Sequence, residues 1–295
     1  MALSTAFISG FSIYVNKFGV NVSNPYVFTG LKNIMVAVFL TGLLLILVQW
    51  KTLKTLRKKD WLILVLIGLI GGSIPFLLFF KGLSLTTAVK GSFIHKTMFL
   101  YVAILAIIFL KEKLNLKLFF GILALLVGTA LMIRITPQPF NFGDLLVLAA
   151  VILWAVEQIV SKHILRRLPS LTVAWGRMFF GSIFILIFLI STKQISLFSG
   201  LQPEQFNWAS ITALLLVAYV LTWYPALKRL PVSVATSILA LGAPATALLA
   251  LIFDHKLLSL PELAGSILLL AGAWLVCDFP KLFGNLKTKF YASRY

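Results

Sequence analysis

The sequence predicts an all-α integral membrane protein: ten transmembrane helices arranged as two inverted five-helix repeats. Three observations lead there. Hydrophobic residues make up 60% of the 295-residue chain and Asp, Glu, Lys and Arg only 12%, about half the charged share of a soluble domain, and mean hydropathy is +1.03. A water-soluble fold cannot bury that much apolar surface, so lipid must solvate much of it. The apolar residues run in long continuous stretches. The chain also matches itself after a shift of about 145 residues.

Ten stretches approach the ~20 apolar residues needed to cross a hydrocarbon core: 2–20, 26–48, 61–80, 87–110, 115–134, 144–165, 171–191, 208–227, 233–253 and 260–278. The gaps hold residues that stop helices or prefer water. These are Asn24-Pro25, Lys51 to Asp60, Pro137 to Asn141, Leu168-Pro169-Ser170, Pro203 to Asn207, Pro231 and Pro261. The runs are continuously apolar, which favours helices over the alternating ~10-residue strands of a barrel. No basic region precedes the opening stretch, which reads as a first membrane helix rather than a cleaved leader.

Charge placement bears on partners and orientation. The net charge is +18, yet the basic residues sit in short gaps where they face lipid headgroups, and no cationic face for nucleic acid is visible. With a cytoplasmic amino terminus, sixteen of the 26 Lys and Arg fall on the cytoplasmic side; four, Lys81, Arg134, Lys193 and Lys256, fall on the other. That bias predicts a multi-pass protein of the plasma or inner membrane with both termini cytoplasmic. A basic tail, 280–295, rests on anionic inner-leaflet lipids. Cys277 is alone, so no intrachain disulfide forms, and His95, His163 and His255 lack metal-ligand spacing. No metal or cofactor is expected.

The repeat is read from spacing. Asn16-Lys17 matches Ser161-Lys162, and Lys32 matches Arg177, at a shift of 145. Leu116, Gly121 and Gly128 match Leu260, Gly265 and Gly272 at 144, as Ala106, Ile108 and Phe109 match Ala250, Ile252 and Phe253. The units are 1–136 and 142–279. Five spans per unit is odd, so the second unit enters the membrane inverted. Loop charges agree: Arg166-Arg167 follows the sixth span, while 19–25, its counterpart, carries no charge. Inverted repeats build carriers that alternate between two faces around a midplane site.

Ionisable groups deep in a membrane face a cavity or a partner, because each costs roughly 2.5–3.5 kcal/mol to insert. His95 and Lys96 in the fourth span and Glu157 in the sixth are the deepest. Trp154, Glu157 and Ser161 share one helical face, as do Ser92, Lys96 and Phe99 with His95 at its edge. A Glu157–Lys96 pair is expected across the cavity. Glu157 would accept a substrate ammonium or exchange protons; Lys96 and His95 would hold a carboxylate or phosphate, with His95 titrating near neutrality. A purely structural ion pair, locking two helices without touching a ligand, would use the same residues. Lys17, Lys32, Lys162 and Arg177 are weaker candidates, able to snorkel to headgroups; Lys32 and Arg177 are the better two, about 10 Å into their helices. Trp154, Trp223 and Tyr224 offer an apolar wall. Pro75, Pro225 and Pro244 mark hinges in the third, eighth and ninth spans.

One local stretch carries a family resemblance: Ala106-Ile107-Ile108-Phe109-Leu110-Lys111-Glu112-Lys113-Leu114, an apolar run ending in Leu-x-Glu-x-Leu, followed by Gly121 and Gly128. It resembles the EamA-type branch of the drug/metabolite transporter superfamily. In the second repeat Lys256 stands at the expected glutamate, and Pro244 fits the ninth-span proline while Thr97 stands near its first-repeat counterpart. The resemblance implies export or exchange of amino acids, other metabolites or drugs through a cavity lined mainly by spans 1, 3, 4, 6, 8 and 9. The expected partner is therefore a small-molecule substrate, a zwitterion or anion, handled by a monomer or homodimer. The chain is not expected to be an enzyme: no intramembrane catalytic constellation stands out. A membrane channel or a non-transporting membrane scaffold would also be built from apolar helices, but a selective channel calls for a ring of polar groups.

Overall fold

A computed structural model describes residues 1–277 apart from 22–23, 84, 87, 114, 134–138, 254, 256 and 258. Among the described residues the chain is helical, with no strand. In chain order the helices are α1 (Ala2–Asn21), α2 (Pro25–Ile46), α3 (Trp50–Lys54), α4 (Lys58–Gly72), α5 (Ile74–Leu83), α6 (Ala88–Lys96) and α7 (Met98–Leu110). There follow α8 (Leu116–Ile133), α9 (Phe142–Leu165), α10 (Ser170–Ser191), α11 (Pro203–Arg229), α12 (Val232–Leu239), α13 (Gly242–Phe253) and α14 (Leu260–Cys277). A 3₁₀ turn, Gln194–Gly200, joins α10 to α11. Eight stretches are long and apolar enough to cross a membrane, and Ala2–Ser12 and Leu116–Met132 are shorter apolar helices. The basic tail, Arg134 and Lys256 lie outside the described residues.

Local chemistry places the helix starts. Asn24 Oδ1 accepts from the Tyr26 and Val27 amides, with Pro25 in the first turn of α2, where its missing N–H costs nothing. Asn141 and Asp144 form a reciprocal capping box at α9: Asn141 Oδ1 accepts from the Asp144 amide at 2.9 Å, and Asp144 Oδ2 from the Asn141 amide at 2.9 Å. The polarity of the fold is inside out. Ile46, Leu62 and Leu116 are more than two-thirds exposed while Asn33, Glu157 and Ser161 are buried, as befits a chain whose outer solvent is lipid.

Three of the continuous spans read from the sequence are broken in the fold. The third breaks at Ser73 into α4 and α5, the fourth at Thr97 into α6 and α7, and the ninth at Ala240-Leu241 into α12 and α13. Pro75 and Pro244 stand just after two of these breaks. Thr97 makes the third without a proline: its hydroxyl and its amide both donate to the Ile94 carbonyl, at 2.7 and 3.2 Å, so a side chain competes for a backbone acceptor. At Pro225, by contrast, α11 is not divided: it runs through the proline, packed against both α1 and α2.

Helices meet where glycines let backbones approach. α8 pairs with α14 through Gly121 against Gly272 and Gly128 against Gly265, so the two run in opposite directions. A Cβ on Gly72 would lie 2.2 Å from the Arg177 carbonyl oxygen, which fixes the α4–α10 contact beside the polar cluster described below. α1 packs on α11 and α13, α2 on α10 and α11, α4 on α10 and α9, α5 and α7 on α9, and α12 on α7.

Candidate functional site

Two helices present a buried charge to each other. Glu157 on α9 is 1% exposed. Its Oε1 accepts from Ser161 Oγ one turn on, at 2.5 Å, and from the Tyr224 hydroxyl of α11 at 2.9 Å. Its Oε2 faces the Arg177 guanidinium of α10, Nη1–Oε2 3.9 Å. The sequence reading is corrected here: the cation opposite Glu157 is Arg177, and Glu157 and Lys96 form no ion pair among the described residues. The reason is geometric. Trp154, Glu157 and Ser161 do share a face, but along it Trp154 meets α4, α5 and α6 while Glu157 meets α10 and α11, which helical periodicity along α9 cannot specify.

The third-span proline ties into the same cluster. In an intact helix the Gly71 carbonyl would accept from the residue four positions on. That residue is Pro75, which has no N–H. The carbonyl instead accepts from Trp154 Nε1 at 3.0 Å and Arg177 Nη2 at 3.2 Å. Pro75 therefore does more than bend the span: it releases an acceptor that joins α4 to α9 and α10. Gly71 has no side chain because a Cβ there would lie 2.3 Å from Glu157 Cγ.

An aromatic group lies beside it. The His95 ring is 5.4 Å from Trp154 and 5.2 Å from Phe79, and Trp154 is also 5.5 Å from Phe79 and 5.3 Å from Phe76. The structure thus brings His95, Trp154, Glu157, Ser161 and Tyr224 into one neighbourhood. Trp223 is fully buried and stacked on Tyr219 at 6.1 Å, in the same apolar core as Tyr224. Lys96 is half-buried at the end of α6 and makes no ion pair among the described residues. Lys32 is buried on α2, with Nζ 3.5 Å from Asn16 Oδ1. Lys162 is structural: its Nζ donates to the carbonyls of Leu227, Lys228 and Leu230 at 2.7, 3.1 and 2.6 Å, a cation capping the carboxy end of α11. Lys17 lies in α1, with its side chain outside the described residues.

Phe76, Phe79, Asn16 and the Gly71 carbonyl are not among the sequence candidates, and Arg177 stands there behind Lys96. One signal was present: a proline four residues after Gly71 announces an orphaned carbonyl. The aromatics had none, because phenylalanine is everywhere in this chain.

Fold and cluster define a multi-pass helical membrane protein with a charged, fully enclosed polar centre. Comparison with known proteins narrows the class. The chain matches the EamA-like transporter family over residues 1–134 and again over 141–277, and it belongs to that family, within the drug/metabolite transporter superfamily. It is 24% identical over 230 residues to an uncharacterized transporter of Methanothermobacter thermautotrophicus, covering 75% of this chain and 66% of the relative. It is 26% identical over 249 residues to the uncharacterized transporter YetK of Bacillus subtilis, covering 80% and 74%. YoaV of the same organism, also an uncharacterized transporter, is 23% identical over 291 residues, covering 92% and 94%. A solved crystal structure superposes with a TM-score of 0.74 at 18% identity, covering 96% of this chain and 97% of that one; it bears on fold alone.

Proposed function

We propose that this protein is a secondary carrier that moves a small organic zwitterion or anion, an amino acid or related metabolite, by alternating access, as an exporter or exchanger. In this reading ten spans form two inverted five-helix units, 1–136 and 142–279, with both termini in the cytoplasm of a plasma or inner membrane. The two family-matching stretches support the repeat. So does helix pairing that exchanges between halves: α1 with α11 as α9 with α5, α2 with α11 as α10 with α4, and α8 with α14. Each half then needs the other to bury its polar residues, the arrangement from which rocking carriers are built.

The observation that carries the proposal is the enclosed cluster of Glu157, Arg177, Tyr224 and Ser161. A scaffold has no need of charge at this depth, and a selective pore needs a ring rather than one asymmetric pair. The carboxylate is met by a guanidinium and two hydroxyls that join α9, α10 and α11 beside the His95–Trp154–Phe79 wall, so protonating Glu157 or engaging it with a substrate ammonium would loosen that junction. Lys32 and Lys96 then tip the interior toward anions.

Counterflow in proteoliposomes tests the reading. Vesicles loaded with unlabelled amino acids should accumulate a labelled amino acid saturably, and Glu157→Gln, which leaves Arg177 without its counter-charge, should reduce that rate at least about tenfold. Linear, unsaturable flux would point to a channel. Substrate turnover without flux would point to an enzyme. A Glu157→Gln variant with unchanged rate and unchanged pH dependence would remove Glu157 from the mechanism.

A further inference from the structure

The Glu157 cluster has a counterpart in the first half of the chain that lacks its carboxylate. At a shift of 145, Glu157, Ser161 and Arg177 fall on Ser12, Asn16 and Lys32. The geometry repeats in outline, although Arg177 meets the residue matching Ser12 and Lys32 meets Asn16, which matches Ser161. Ser161 reaches back one turn to Glu157 at 2.5 Å, and Asn16 Nδ2 reaches back one turn to Ser12, 2.9 Å to its Oγ and 2.7 Å to its carbonyl. In each half a cation approaches from the next span: Arg177 Nη1 is 3.9 Å from Glu157 Oε2, and Lys32 Nζ is 3.5 Å from Asn16 Oδ1. Both cations lie at one depth, about 10 Å beyond Pro25 and Ser170, the first residues of α2 and α10.

Charge is what differs. Arg177 has Glu157. Lys32 is 5% exposed, and no Asp or Glu pairs with it among the described residues. Its contacts there are the neutral Asn16 amide oxygen and the Phe28 ring, Nζ to centroid 5.3 Å. On the same helix, Thr29 Oγ1 and both amide atoms of Asn33 are buried with no hydrogen-bond partner among the described residues. Buried polar groups are normally satisfied, and among the described residues these donors and acceptors of α2 are not.

We infer that Lys32, with Asn16 and Ser12, forms the anion subsite of the carrier: the carboxylate of the substrate takes at Lys32 the place that Glu157 takes at Arg177. Serine differs from glutamate here by the acid-bearing arm, so the ligand supplies the charge that the protein supplies in its second half. A carboxylate fits better than a phosphate, because one ammonium and one hydroxyl offer a single positive charge and few donors, whereas phosphate sites gather several donors and cations. Asn16 commits its amide N–H to Ser12 and turns its oxygen to Lys32, which positions the ammonium. The inference rests on the carrier reading above.

Two substitutions and a ligand series test it on the full-length protein in detergent. Thermal unfolding is followed with each proteinogenic L-amino acid, with lactate and succinate, and with the methyl esters of all of them, which lack the carboxylate charge. At least one acid should raise the apparent Tm by roughly 2–4 °C and its ester should not. Lys32→Met should abolish the shift. Ser12→Glu, which builds the charge into the chain, should abolish it too, while raising the ligand-free Tm above that of Ser12→Gln only when Lys32 is present. A shift that survives either substitution, a panel with no stabilising acid, or a Ser12→Glu effect that is the same in the Lys32→Met background overturns the inference. If Lys32→Met does not fold, the Ser12→Glu and Ser12→Gln pair in the otherwise native chain decides. Saturable counterflow that is equal in the native protein and Lys32→Met overturns this subsite and leaves the carrier standing; no saturable counterflow in the native protein sinks the carrier itself.

Discussion

The two ends of the helix bundle are closed by different chemistry. At one end Glu112, just past α7, reaches the start of α12: its Oε1 accepts from the Val232 amide at 2.7 Å, and its Oε2 from the Ser233 amide at 3.4 Å and from the Ser233 hydroxyl. Lys111 makes this possible by taking a left-handed conformation, φ 57°, that stops α7 and turns the chain. At the other end Asp144, in the first turn of α9, accepts from Thr86 Oγ1 and pairs with Lys90 of α6, whose Nζ also donates to the Pro139 carbonyl at 2.8 Å. In the 144-residue register the residue matching Glu112 is Lys256, a cation that cannot accept a backbone N–H. The second tether is therefore drawn from a non-equivalent position. One closure is a carboxylate on a helix amino terminus among neutral donors; the other is a buried ion pair, with side chains 13% and 0% exposed.

That contrast ranks the strength of the closures, and substitution can break it. Asp144→Ala should be the most damaging, because it strips a buried cation of its counter-charge: about 3 kcal/mol of stability should be lost in denaturant unfolding, with Lys90→Met in the same chain recovering part of it. Glu112→Ala removes a cap and a favourable charge on a helix dipole, about 1–2 kcal/mol. It should also speed maleimide labelling of a cysteine placed at Val234, in a Cys277→Ala background. Equal losses from the two alanine variants would erase the distinction. Lys162→Met should cost least, about 1 kcal/mol, since the α11 carbonyls it caps sit at an end where some of its contacts are exposed. A loss as large as that of Asp144→Ala would make Lys162 part of the closure rather than a helix cap.

Local features were legible in the sequence, with particular successes and failures. The apolar runs announced the membrane helices, because lipid demands length and apolarity from each segment separately. The gaps at Asn24-Pro25 and Pro137 to Asn141 were legible for the same reason, and the structure makes Asn24 and Asn141 the caps of α2 and α9. Breaks were legible only in part. Pro75 and Pro244 accompany broken spans, but Pro225 sits in an intact one, and Thr97 breaks a span without proline. Which outcome occurs depends on the neighbours that hold the helix or accept its freed groups.

The candidate site divides along the same line. That Glu157, Ser161 and Trp154 share a face follows from 3.6 residues per turn, and the sequence determined it alone. So did the pairing of Lys32 with Arg177 at equal spacing. Periodicity within a helix says nothing about rotation relative to its neighbours, so only the tertiary structure decided that Glu157 meets Arg177 and Tyr224 rather than Lys96. It likewise decided that the Gly71 carbonyl finds Trp154. Coulomb attraction and hydrogen bonding act over a few ångströms between residues far apart in the chain, and helix packing alone brings them into that range.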